Sequence, residues 1–324
     1  MTHVPHPNSR EKIETVKTDP THFATPAELP VRLRFARVLG RQRWVRGPLR
    51  KSRDHLLNTL CAAEKARGYL FEIDYFGQRY RGNLNRFTDY MAFCYGSAAP
   101  SELGLLQAAI RYLKQVGTKP ICFADVGANV GHHTLFMAAQ VDSVIAFEPF
   151  PPVLALLRQH LAINCIGNVE VVPFALGEND DTIAFFPGTE DEDTIGTFLN
   201  WNAPQGDVQL ELPVRNGDRL FAECNFPAIN LLKVDVEGFE PFVLRGLRER
   251  IRSDRPIILS EMLDFTRTSY GSEQDFRKCF YDDALFFNVE AIGLSMRYKL
   301  SPFSFTQSGE VLVLPSEMAE FARR

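Results

Sequence analysis

Two short runs concentrate the residue types that can do chemistry. The first, Phe123-Ala124-Asp125-Val126-Gly127-Ala128-Asn129-Val130-Gly131-His132-His133-Thr134, follows an apolar stretch and precedes a helical pattern. That is the strand–turn–helix context a nucleotide-binding turn requires. Gly127 can turn sharply and admit a ligand against bare backbone, and Gly131 lets the helix start pack closely on the strand. The spacing is D-x-G-x-N-x-G. A dinucleotide turn aims amides at a pyrophosphate, and an acid at its first position would repel that anion. Asp125 suits instead a ligand with an amine or a cationic centre, such as S-adenosylmethionine with its α-amino group and sulfonium.

The second run is Asn230-Leu231-Leu232-Lys233-Val234-Asp235-Val236-Glu237-Gly238-Phe239-Glu240. Strand periodicity would put Lys233, Asp235 and Glu237 on one face, with neighbouring carboxylates about 6–7 Å apart. Such groups are costly to bury without a purpose, and doubly wound sheets bind ligands beyond the carboxyl ends of their strands. A structural ion pair between Lys233 and Asp235 is the alternative. Glu148 closes the stretch Val144–Glu148, 23 residues after Asp125, where a carboxylate can accept both hydroxyls of a ribose. Dehydrogenases use such an acid as well, so Glu148 points to an adenosine ligand without choosing between them. Phe174-Ala175-Leu176-Gly177 follows a third strand, where a loop could cover the adenine. Glu261 ends a fifth strand, Ile257–Ser260.

The elements that must position these residues alternate. Strands are expected at Ile121–Val126, Val144–Phe147, Val169–Val172, Asn230–Val236 and Ile257–Ser260, with helices at His133–Gln140, Pro152–Cys165 and Pro241–Ile251. This rhythm means a parallel sheet with helices on both faces, an α/β doubly wound fold. Phe286–Ile292 and Glu310–Pro315 suit an antiparallel addition at the sheet's edge. Ahead of the sheet, residues 55–67 read as a short helix, and the alternation on either side of Phe76-Gly77 as a hairpin. Residues 101–116 carry one apolar helical face behind a Ser101 N-cap. Residues 31–53 hold nine Lys or Arg and no acid, interleaved with apolar side chains. They read as a linker draped over the domain, or as an arm for an anionic surface. Residues 1–30, with five prolines, read as a mobile tail. Between Gln159 and Val214 there is no Lys or Arg while acids accumulate, which predicts a β-rich acidic insertion over about 178–218. The expected organisation is therefore 1–54 tail and basic arm, 55–118 N-terminal helix and hairpin cap, and 119–324 ligand-binding domain.

Composition sets the outer limits. The chain has 324 residues, 45% hydrophobic and 23% charged, with a net charge of −4. These values suit a globular protein and exclude collagen, coiled coil or wholesale disorder. No stretch of about 18 apolar residues could span a membrane, and the N-terminus lacks a secretory pattern. Six scattered cysteines without a Cys-x-x-Cys pair predict reduced thiols and a cytoplasmic protein.

The runs FADVGANVGHHT, AFEPFPPVLALLRQHLAIN, LLKVDVEGFEPFVLRG and IILSE, in this order, resemble the FkbM-type methyltransferases over roughly residues 69–262. The resemblance implies a class I S-adenosylmethionine-dependent methyltransferase with a mostly parallel seven-stranded Rossmann-like sheet. It implies transfer to a hydroxyl oxygen of a sugar, glycolipid or polyketide-like acceptor. Asp125, Gly127, Ala128, Asn129, Gly131, Glu148 and Ala175 would line the cofactor site, and Asp235 and Glu237 would face the methyl group. A base should help a weakly nucleophilic hydroxyl. Asp235 or Glu237 is the first candidate and His132 the second. Alternatively, Asp235, Glu237 and Glu261 would hold Mg²⁺, although metal-free transfer is the expectation. A nicotinamide-dependent oxidoreductase and a non-catalytic binding protein are the competing functions. The expected partners are a hydroxyl-bearing acceptor and, through residues 31–53, the inner face of a membrane, with no specific nucleic acid.

Overall fold

The protein is described by a computed structural model over residues 22–42, 48–187, 198 and 210–323. At its centre is an eight-stranded sheet. Five strands run parallel in the spatial order β5 (Val169–Val172), β4 (Ser143–Phe147), β3 (Cys122–Val126), β9 (Leu231–Val234) and β10 (Ile257–Met262). The sheet continues antiparallel through β13 (Gly309–Leu314), β11 (Leu285–Ala291) and β12 (Tyr298–Pro302). The expected α/β doubly wound, mostly parallel sheet is present, with eight strands instead of seven. The extra strand is β12, whose polar, half-exposed sequence YKLSP carries no apolar alternation.

Side chains alternate between two cores. Phe123, Leu231 and Leu259 face one core, while Ala124, Val126, Leu232 and Val234 face the other. The first core is covered by α4 (Pro100–Gln115), α5 (His132–Ala138) and α6 (Pro151–Ile163). The second is covered by α7 (Gly217–Glu223), α8 (Glu240–Gly246) and α9 (Arg248–Asp254), followed by α10 (Asp264–Tyr270) and α11 (Glu273–Arg277). Strands β3, β4 and β5 step outward in one direction, and the chain then returns to place β9 on the other side of β3. That reversal opens a crevice at the carboxyl ends of β3 and β9, the usual ligand position in such sheets.

The N-terminal elements pack onto the first core. Strands β1 (Leu70–Tyr75) and β2 (Gln78–Asn83) form a hairpin whose turn residues Phe76 and Gly77 both have positive φ, as a two-residue type I′ turn demands. Beside it lie α1 (Val31–Gly40), α2 (Pro48–Lys65) and α3 (Phe87–Tyr95). The break expected at residue 54 is absent, because α2 runs through it. The basic segment is largely helical, since Leu33 and Ala36 of α1 are fully buried. Part of the expected tail is pinned too: Ala24 exchanges backbone hydrogen bonds with Leu70 and Glu72, and Leu29 is buried. Residues 1–21 and 43–47 lie outside the described residues.

After β5, a small sheet of β6 (Ala175–Gly177), β8 (Leu210–Asn216) and β7 (Asp181–Phe185) forms the described part of the insertion. Its acidic run Glu190–Asp193 lies outside the described residues. All six cysteines are unpaired. Among the described residues no helix is long and apolar enough to cross a membrane.

Candidate functional site

The turn after β3 is built from backbone. The amides of Gly127 and Ala128 both donate to the Phe147 carbonyl at the end of β4. Gly127 has φ +84, and a Cβ there would lie 1.8 Å from the Asp235 carbonyl oxygen. Only glycine therefore lets the β3 turn press against the loop after β9. Asn129 adopts φ 51, and its amide donates to Glu148 Oε2 at 2.9 Å. Glu148 Oε1 accepts from the Phe150 amide, also at 2.9 Å. One carboxylate thus ties the turns after β3 and β4 together. Burial pushes Glu148 up to about 7, against the opposing pull of those two amide bonds.

Asp125 is fully buried. Its Oδ2 accepts from the Thr134 hydroxyl at 2.6 Å, and its buried Oδ1 has no partner among the described residues. An orphaned carboxylate oxygen beneath a glycine turn calls for a donor. The turn and its two acids fit a ligand that brings an amine and a ribose diol. Ala128 is buried within this turn, whereas Ala175 is buried in β6 against the second core.

Across the crevice, Lys233 Nζ donates to Asp235 Oδ2 at 2.7 Å. Burial opposes the charge of Lys233, but the carboxylates of Asp235, Glu102, Asp125 and Glu310 outweigh it and hold the ammonium protonated. Asp235 is half-buried; despite its desolvation, Lys233 and His133 keep it below the ordinary aspartate range. On β10 and its antiparallel neighbour, Glu261 stands opposite Glu310. Burial, then Asp235 and Glu237, push Glu261 up to about 9. Glu310 is raised as well, by burial and then by Glu102 and Asp235.

Two expected site residues fall elsewhere. Strand geometry ends at Val234, and Glu237 sits in a turn with φ 50, so it does not continue the face of Lys233 and Asp235. Glu240 takes that place: one of its carboxylate oxygens and one each from Asp235 and Glu261 lie within 4.8 Å of one another. The Glu240 oxygens are already engaged by the amides of Val236 and Gly238 and by the Thr266 hydroxyl. Glu240 therefore shapes the loop into α8.

His132 packs into the hairpin, its ring stacked on Tyr80 at 4.8 Å and against Tyr75 at 5.3 Å. Burial, then the neighbouring His133 and His160, lower it to about 3. A proton acceptor at neutral pH cannot be that weak a base. The adjacent His133 instead faces the acid cluster. Its Nε2 lies 3.1 Å from Glu102 Oε2 at the start of α4, and neither atom makes a hydrogen bond among the described residues. Sequence reading missed Glu102, His133 and Glu310. The doubled histidine was the available signal, and only the phase of α5 separates its two members.

The description "Methyltransferase FkbM domain" matches residues 125–287, half of the chain and nearly every residue of this crevice. The chain belongs to the FkbM methyltransferase family. Among curated relatives, Methyltransferase 1 of Beauveria bassiana is 31% identical over 142 residues, 38% of this chain and 57% of that protein. Hexuronic acid methyltransferase AglP of Haloferax volcanii is 28% identical over 159 residues, 47% of this chain and 61% of that protein. The chain thus spans about three-fifths of the length of these curated relatives. The crystal structure of methyltransferase FkbM from Methylobacillus flagellatus is 13% identical, with a TM-score of 0.40 over 87% of this chain and 76% of that one.

Proposed function

We propose that this FkbM-family chain is an S-adenosylmethionine-dependent O-methyltransferase acting on a hydroxyl of a sugar, glycolipid or polyketide-like acceptor. The observation that carries the proposal is the contact between Gly127 and the Asp235 carbonyl. It joins a turn suited to an aminoacyl nucleoside directly to a cluster of acids, a lysine and a histidine. Hexuronic acid methyltransferase AglP supports a sugar acceptor.

When bound, the cofactor supplies a methyl group on a positively charged sulfur. Asp125, through its unpartnered Oδ1, would hold its amino group, and Glu148 would accept the ribose hydroxyls. Asp235, kept anionic by Lys233, favours the sulfonium and orients the acceptor hydroxyl. His133, beside Glu102, would take the hydroxyl proton as the methyl group passes from sulfur to oxygen and S-adenosylhomocysteine leaves. Positioning provides most of the acceleration, and general-base assistance contributes about 10²–10⁴-fold. The scheme calls on no metal, although among the described residues Asp235, Glu240 and Glu261 lie close enough together to hold one.

The test is calorimetric titration with S-adenosylhomocysteine and NAD, using wild type, Asp125→Ala and Glu148→Ala. Tight binding of the first ligand, lost in both variants, is the expected result. Binding of NAD alone would return the chain to the oxidoreductase reading.

A further inference from the structure

Resting on the methyltransferase reading above, we infer that the acceptor carries an oxyanion, a carboxylate or a phosphate, held in an arginine-lined cavity beside the Glu102–His133 pair. The cavity has a volume of about 880 Å³ and lies between α1, α2, the hairpin and the loop before β12. That volume matches an ordinary small-molecule site. Arg41, Arg50, Arg53 and Arg297 line it, facing the single carboxylate of Asp74 among the described lining residues.

The positive charge is only partly neutralised. Asp54 pairs with Arg53 at 2.8 Å and with Arg50 at 3.6 Å. Arg41 and Arg297 form no ion pair among the described residues. Near Arg41, the buried Nε of Arg37 has no hydrogen-bond partner among the described residues, and burial followed by the charge of Arg41 lowers Arg37 to about 10. Like charges gathered around one cavity repel one another, and an anion among them relieves that repulsion. Arginines are also the side chains best shaped to bind carboxylate or phosphate in a bidentate way. A neutral acceptor would leave this arrangement unexplained.

The cavity is also fixed relative to the reaction centre. Ser97 and Pro100 line it, and Glu102 follows two residues later on α4. Across the cavity, the loop bearing Arg297 is seated directly on α4: a Cβ on Gly104 would lie 1.8 Å from the Met296 carbonyl oxygen. An acidic sugar with its anionic group among the arginines would extend past Pro100 toward His133.

The experiment titrates glucuronic acid, glucose 6-phosphate, inorganic phosphate and glucose into the full chain saturated with S-adenosylhomocysteine. Arg41→Gln and Arg297→Gln, both exposed positions, are measured alongside. At least one anion should bind tenfold or more tightly than glucose and weaken tenfold or more in each variant. A preference for glucuronic acid identifies a carboxylate acceptor, and a preference for the phosphates identifies a phosphorylated one. Equal binding of glucose, absence of anion binding, or unchanged affinity in both variants overturns the inference. Binding of S-adenosylhomocysteine itself, which neither substitution should alter, reports separately on the methyltransferase reading. If wild type fails to bind it, that reading falls first.

Discussion

Glu148 offers the sharpest test of how this crevice works. In the free protein its carboxyl titrates near 7 because burial opposes the charge, yet ribose hydroxyls would donate to the ionised form. Cofactor binding should therefore favour loss of the proton. At pH 6 the group is about nine-tenths protonated and at pH 8 about nine-tenths ionised, so affinity should be about tenfold weaker at the lower pH. Glu148→Ala removes hydrogen bonds to a charged acceptor worth about 1.5–3 kcal/mol each, which for two ribose hydroxyls is a loss of at least about 100-fold. The variant should also lose the pH slope. Calorimetry with S-adenosylhomocysteine at pH 6, 7 and 8 measures both effects, and titration of the ligand's own amino group cancels between the two proteins. Stability gives an independent readout. A carboxyl with a folded value near 7 and an ordinary value of 4.5 stabilises the fold fully below 4.5 and loses that contribution as pH rises through 7. The difference is about 3 kcal/mol, so the free wild type should melt progressively lower between pH 5 and 8, with a shallower fall in Glu148→Ala. Wild-type affinity in the variant, or an unchanged pH slope, would refute the assignment of Glu148 to the ribose.

Three further outcomes are expected. Gly127→Ala should cost about 3 kcal/mol or more, since it combines a strained positive φ with a clash against the Asp235 carbonyl; thermal unfolding and loss of S-adenosylhomocysteine binding would register it. His133→Asn should lower kcat by about 10²–10⁴-fold on the anionic sugar that binds, and Glu102→Gln by less, with cofactor affinity unchanged in both; full activity in His133→Asn would remove it as the base. Finally, α1 exposes Val31, Phe35 and Val38 at 73%, 53% and 61% along one stripe beside its arginines, a pattern suited to an anionic lipid surface. The protein should co-sediment with phosphatidylglycerol vesicles and not with phosphatidylcholine vesicles, and Phe35→Ser with Val38→Ser should abolish it; equal pelleting of the double variant would end the membrane proposal.

The parts of this protein that the sequence by itself determined are those governed by local geometry. Short apolar runs placed β3, β4 and β9, the alternation on either side of Phe76-Gly77 made a hairpin, and D-x-G-x-N-x-G after an apolar strand made a ligand turn. Each depends on residues within a few positions of one another. Tertiary structure alone decided the rest. His132 and His133 are adjacent, but a helix turns about 100° per residue, so one enters the aromatic core and the other faces the acids. Glu102 meets His133 only because α4 and α5 cover the same face of the sheet. Extrapolating the strand period through Glu237 failed because β9 ends at Val234, and the chain turns to bring Glu240 inward. The basic segment also could not reveal its role from composition, since burial of Leu33 and Ala36 depends on elements that follow much later in the chain. Periodicity reports the shape of a segment, whereas the pairing of distant charges is decided by how segments pack.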